Sequence, residues 1–124
     1  MIDFQNAKYI KLKPVSDGDF LQIISPMMIT GEEIVQAFKG MRDGVVFTNK
    51  RVFAINIQGV TGKKKDFTSL PYSKIQAYSV ETAGLLDLDT ELELWFSGVG
   101  KVKFEFVSST DVAKLCRIIS ECVL

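Results

Sequence analysis

The stretch Glu91-Leu92-Glu93-Leu94-Trp95-Phe96-Ser97, with the turn Gly98-Val99-Gly100 and the return Lys101-Val102-Lys103-Phe104-Glu105-Phe106-Val107, decides the fold. Strand side chains alternate between two faces, so apolar residues at period two mark a half-buried strand. Leu92, Leu94 and Phe96 share one face of the first segment. Val102, Phe104 and Phe106 share one face of the second. The opposite face of the first carries Glu91, Glu93, Trp95 and Ser97. Two such segments around a glycine-rich turn make an antiparallel hairpin with one dry and one wet face.

Beyond residue 107 the period lengthens. Val112, Leu115, Cys116, Ile119, Cys122 and Val123 recur at helical spacing. Ser108 or Ser109 is the expected cap, with Asp111 in the first turn where negative charge is favoured. An amphipathic helix must cover something apolar, and a small antiparallel barrel has an open end for it to plug.

Upstream of the hairpin lie further strands. Ile75 to Ala83 is broken by Gly84, and Phe67 to Leu70 stops at Pro71. Gly59 to Lys65, with two glycines and three lysines, reads as a loop. Arg51 to Gln58 alternates, with Phe53, Ile55 and Ile57 on one face. Val45 to Thr48 is short and joined through Asn49-Lys50, while Asp43-Gly44 reads as a hairpin turn. With residues 34–40 this gives about seven strands, the spacing of a barrel or sandwich. Before them, Asp17 is a plausible cap for a short helix presenting Phe20, Leu21, Ile23 and Ile24 and ending at Pro26. Residues 8–13 read as a short strand or an arm. We divide the chain into an N-terminal arm with a short helix, 1–29, and a mainly β unit, 30–124, forming one domain overall.

Composition excludes several function classes. The 124 residues are 47% apolar and 24% charged, ordinary values for one globular core. Fifteen basic and fifteen acidic residues give no bulk charge to hold a nucleic acid. The absence of histidine removes His-based acid–base relays and His-containing zinc sets. Cys116 and Cys122 read as packing residues, and no metal or other cofactor is expected. There is no nucleophile elbow, and Gly59-Val60-Thr61-Gly62-Lys63 is too short for a phosphate-binding loop. A non-enzymatic protein is therefore expected. The apolar run Phe20 to Ile29 has about half the length of a membrane span, and no secretory leader is visible, which makes the cytoplasm the default compartment.

Several linked motifs resemble one family. They are Val46-Phe47-Thr48-Asn49-Lys50-Arg51-Val52, Gln58-Gly59-Val60-Thr61-Gly62-Lys63-Lys64, Leu70-Pro71-Tyr72-Ser73-Lys74-Ile75, Ser79-Val80-Glu81-Thr82-Ala83-Gly84, Leu86-Asp87-Leu88-Asp89 and Glu91 to Gly98. In this order, over about residues 30–124, the chain resembles the bacterial pleckstrin-homology (PH) domain family of small stand-alone proteins. The resemblance implies a PH-like, seven-stranded, partly open antiparallel barrel capped by a C-terminal helix. It also implies self-assembly into rings, and so a binding or scaffolding role.

Two surfaces follow as candidate sites. Eukaryotic PH domains hold headgroup phosphates with bases in the first and third strand connections. Here Lys39 and Arg42 flank the first, and Lys63, Lys64 and Lys65 fill the third. They are the candidates for an anionic ligand or a weak membrane contact. The second surface is a subunit interface. Residues 1–74 hold 11 basic and 7 acidic residues, and residues 75–124 hold 4 and 8, so the neutral chain is charge-polarised. An acidic edge with Asp87, Asp89, Glu91 and Glu93 is expected to meet a basic surface of the next copy, including Lys50 and Arg51. Trp95 is the expected anchor, since interface cores are rich in Trp. The expected partner is a second copy, with an unknown protein partner as a further possibility.

Overall fold

In a computed structural model, described at residues 1–82, 89–107 and 110–124, the alternating segments join one eight-stranded sheet. The strands are β1 (Tyr9–Val15), β2 (Ile34–Lys39), β3 (Gly44–Thr48), β4 (Arg51–Gln58), β5 (Lys64–Pro71), β6 (Ile75–Glu81), β7 (Thr90–Phe96) and β8 (Gly100–Phe106). Their order is β5-β4-β3-β2-β1-β8-β7-β6. All neighbours are antiparallel except β1 and β8. With β5 and β6 at the two ends, the barrel stays partly open. The fold is the PH-like one expected: β2 to β8 are seven strands, and the C-terminal helix α2 (Val112–Val123) is in place. The eighth strand is β1, inserted between β2 and β8 so that it joins the two halves of the sheet.

Simple alternation does not predict β1. Tyr9 and Leu12 are both buried, although three residues apart they belong to opposite faces of a regular strand. A register shift between them on β8 supplies the extra residue, and Lys11 takes the left-handed φ of 52° that such a bulge needs.

Inside the barrel the aromatic rings interlock. Phe38 lies 4.7 Å from Phe106, and Phe47 meets Phe104 edge-on at 5.9 Å. Helix α2 closes this core with Val112, Leu115, Cys116 and Ile119, while Cys122 and Val123, expected on the same stripe, are exposed. The Asp111 carboxylate caps α2 by accepting the Lys114 amide at 3.1 Å. The expected caps Ser108 and Ser109 lie outside the described residues.

A second core lies on the other face of the sheet. Helix α1 (Gly18–Ile24) lays Phe20 and Ile24 across Ala37, Val46, Phe53 and Ile55. Strand β3 is thus buried on both faces, which is why Val45-Val46-Phe47 shows no alternation. Gly44 belongs to this packing. A Cβ there would lie 2.3 Å from the Phe20 ring, so Gly44 opens β3 and the turn falls at residues 40–43, where the Gly40 amide donates to the Asp43 carbonyl. Three smaller expectations change. Lys64 and Lys65 lie in β5 rather than in a loop. Asp17 makes no side-chain cap, and Leu21 points outward. Before β1, Ile2 is buried in the barrel core and the N-terminal amine reaches Asp66 at 3.4 Å.

Candidate functional site

The β2–β3 and β4–β5 hairpins turn at the same rim of the barrel and are tied together. Arg42 Nη2 donates to the Gly59 carbonyl at 2.7 Å. The Asp43 carboxylate accepts the Ile57 amide at 2.9 Å and the Asn56 side-chain amide at 3.2 Å. Glycine at 59 and 62 provides the positive φ that the second turn needs. The structure therefore brings the expected bases Lys39 and Arg42 beside the hairpin that carries Lys63, Lys64 and Lys65, all five exposed.

It adds three bases that the sequence reading missed. Lys8, Lys11 and Lys13 on β1 line one groove of about 640 Å³ together with Lys39 and Arg42, and Lys13 sits directly across from Lys39 in the β1–β2 register. The walls between them are apolar, from Tyr9, Ile10, Leu12 and Met41. The acids nearby are engaged elsewhere: Asp43 holds the two hairpins, and Asp66 faces the N-terminal amine. The signal lies in Lys8-Tyr9-Ile10-Lys11-Leu12-Lys13, a segment the sequence leaves open between a short strand and an arm; the structure makes it a strand.

The second surface is the outer face of β6, β7 and β8. Trp95 is half exposed, at 50%, between Ala77 on β6 and Lys101 on β8. Glu91 and Glu93 flank it as expected, but their charge is partly answered within the chain. Lys103 Nζ meets Glu91 at 3.2 Å, and Lys101 Nζ meets Glu93 at 4.0 Å. The hydrogen bond that Lys103 donates to the Glu91 carboxylate raises the Lys103 pKa. Asp89 precedes β7, and Asp87 lies outside the described residues. Strand β6, at one end of the sheet order, also exposes Tyr78 and Val80, but these lie across from Leu94 and Leu92, on the face opposite Trp95 and toward α2. The Tyr78 and Ser120 hydroxyls lie 2.9 Å apart, which ties β6 to α2.

Lys50 and Arg51 sit elsewhere. Strand β4 is separated from β7 by β3, β2, β1 and β8 in the sheet order. Lys50 is exposed, whereas Arg51 is held inside its own chain. Its Nη2 and Nε reach the two carboxylate oxygens of Glu32 at 2.8 and 2.9 Å. Nη2 also donates to the Met27 carbonyl at 2.7 Å, and the guanidinium lies 4.3 Å from the Phe53 ring centroid. Thr48 donates its hydroxyl to Glu32 at 2.7 Å and receives the Lys50 and Arg51 amides. This network shapes the β3–β4 turn, and Glu32 was not visible as its centre because its partners lie 16 and 19 residues away.

Comparison with known proteins agrees with this architecture. A family model described as bacterial PH domain matches residues 3–123. The uncharacterized Bacillus subtilis protein YjqA is 49% identical over 75 residues, a match spanning 60% of each protein. Another from that organism, YozO, is 29% identical over 98 residues, covering 79% of this chain and 84% of the relative. Among solved structures, a DUF1696 family protein with a pleckstrin-homology domain from Shewanella loihica superposes with a TM-score of 0.78 at 39% identity, covering 93% of this chain and 99% of that one. A pleckstrin homology domain from Shewanella amazonensis gives 0.63 at 40% identity over 96% and 93%. A bacterial protein from Exiguobacterium sibiricum, at 21% identity and 0.68, shares the fold. The chain belongs to the bacterial PH domain family.

Proposed function

We propose that this protein is a non-enzymatic scaffolding module that assembles with copies of itself into a ring, using the outer face of β6 to β8. The observation that carries this reading is the half-exposed Trp95 on the outer sheet face, beside the terminal strand β6. A large aromatic on a sheet face at the sheet's end is what an interface anchor requires. The pairing of Glu91 and Glu93 with Lys103 and Lys101 makes the face less acidic than its sequence, so apolar contact carries the assembly and charge sets its register. Trp95 is the only tryptophan, so its fluorescence reports its own burial. Blue-shifted emission at tens of micromolar that moves red on dilution supports the reading. Red emission at every concentration opposes it.

A second reading is favoured by the basic rim: attraction to anionic surfaces, with Lys39, Arg42, Lys63, Lys64 and Lys65 as the contacts. Each lysine near an acidic surface contributes about 1 kcal/mol, and the effect is screened by salt. Reversing Lys63, Lys64 and Lys65 to Glu should remove salt-sensitive association with acidic vesicles.

A further inference from the structure

The groove between β1 and the β2–β3 turn carries two features that cost the fold stability. Lys13 stands directly across from Lys39, and both are exposed. Like charges opposite one another on one sheet face repel. Lys11 holds the left-handed φ of 52°, a conformation that strains a residue with a side chain and that clusters at binding sites. With this bulge, Lys8, Lys11 and Lys13 all line the one groove of about 640 Å³. No ion pair among the described residues involves them or Lys39. Asp43, the carboxylate on the groove wall, accepts the Ile57 amide and the Asn56 side-chain amide instead.

Between these cations the groove offers apolar contact. Ile10 is 45% exposed and Met41 99%. A concave strip of cations with apolar walls fits a thread-like ligand that carries both carboxylates and apolar side chains. A nucleic acid would leave those walls unmatched, and the one aromatic ring in the lining, Tyr9, is buried and offers no base a stacking platform. A bilayer is too broad to enter a groove. Methionine, flexible and unbranched, adapts to varied peptide side chains. We infer that this groove docks an acidic peptide segment of another protein, with carboxylates against Lys11, Lys13 and Lys39 and an apolar side chain against Ile10 and Met41. The site shares Lys39 and Arg42 with the anionic-surface reading, but it is built on β1 and stands whether or not that reading holds.

The test is fluorescence anisotropy of the whole chain with short fluorescein-labelled peptides. One alternates glutamate with leucine, a second glutamate with serine and a third lysine with leucine. The glutamate–leucine peptide is expected to bind, the glutamate–serine peptide more weakly and the lysine–leucine peptide not at all. Lys39→Glu removes the like-charge pair with Lys13. It should therefore raise the thermal unfolding temperature while weakening the glutamate–leucine peptide by about tenfold. Reversing Lys63, Lys64 and Lys65 to Glu should leave that peptide bound, although it removes association with acidic vesicles. If the parent binds no glutamate–leucine peptide, or if Lys39→Glu binds it as the parent does, peptide docking in the groove is overturned. Loss of the peptide in the triple reversal would overturn it too, by moving the contact to the β4–β5 hairpin. Equal binding of the glutamate–serine peptide would overturn the apolar contact with Ile10 and Met41. A labelled oligothymidylate that binds more tightly than the peptide would overturn the choice of ligand.

Discussion

Arg51 grips both carboxylate oxygens of Glu32, at 2.8 and 2.9 Å, beneath the turn that joins β3 to β4. The Glu32 side chain is wholly buried and that of Arg51 largely so. Burial pushes the Glu32 carboxyl upward, but the Arg51 guanidinium, the Thr48 hydroxyl and the Ile29 amide outweigh it. The group therefore titrates below its usual 4.5. A carboxyl depressed in the folded state binds fewer protons there than in the unfolded chain. Its contribution to stability is present above about pH 4.5 and is lost as pH falls through the folded-state value. Glu32→Gln should be less stable than the parent at neutral pH and should show a shallower loss in acid. Denaturant unfolding at a series of pH values reads both, and parallel pH profiles would refute the coupling. Arg51→Met should cost about 3–5 kcal/mol by leaving the buried carboxylate unpaired.

Gly44 and Phe20 give a steric prediction. Gly44→Ala puts a methyl into the Phe20 ring, at a cost of about 1–3 kcal/mol through displacement of α1 from the sheet. Adding Phe20→Leu should make the two costs non-additive. Strict additivity in the cycle would mean that the ring does not rest on Gly44.

Two buried tyrosines should respond unequally to loss of the hydroxyl. The Tyr72 hydroxyl donates to the Thr48 carbonyl at 2.7 Å, while the Tyr9 hydroxyl has no hydrogen-bond partner among the described residues. Tyr72→Phe should cost about 1–2 kcal/mol, and Tyr9→Phe should be near neutral. Equal losses in urea unfolding would contradict this difference.

Helix α2 should behave as a plug. Leu115→Ala is expected to cost about 2–5 kcal/mol by opening a cavity in the barrel core. A loss below about 1 kcal/mol would mean that the helix does not complete that core.

How far the sequence is readable follows from how many faces each strand buries. The β7–β8 hairpin has one dry face, and its alternation predicts register and orientation directly. Strand β4 buries Val52 and Ala54 in the barrel while Phe53 and Ile55 meet α1. Period two picks out only one of those faces. The bulge at Lys11 hides β1, and with it the lysines that complete the groove. Alternation places Trp95 on the outer face, but its neighbours' ion pairs with Lys101 and Lys103 arise across strands and leave no local mark. Arg51 reads from sequence as a surface base because Glu32 lies far from it in the chain.

The central claim is self-assembly through the Trp95 face, and multi-angle light scattering of parent and Trp95→Ala at two salt concentrations tests it most directly. The parent should give a mass several times the 13.9 kDa of one chain, changing little with salt because apolar contact dominates. Trp95→Ala should give a folded species near 13.9 kDa, since truncating an interface anchor costs about 2 kcal/mol or more. A parent mass near 13.9 kDa at tens of micromolar would contradict the assembly, and an undiminished oligomer in the variant would contradict the role of Trp95.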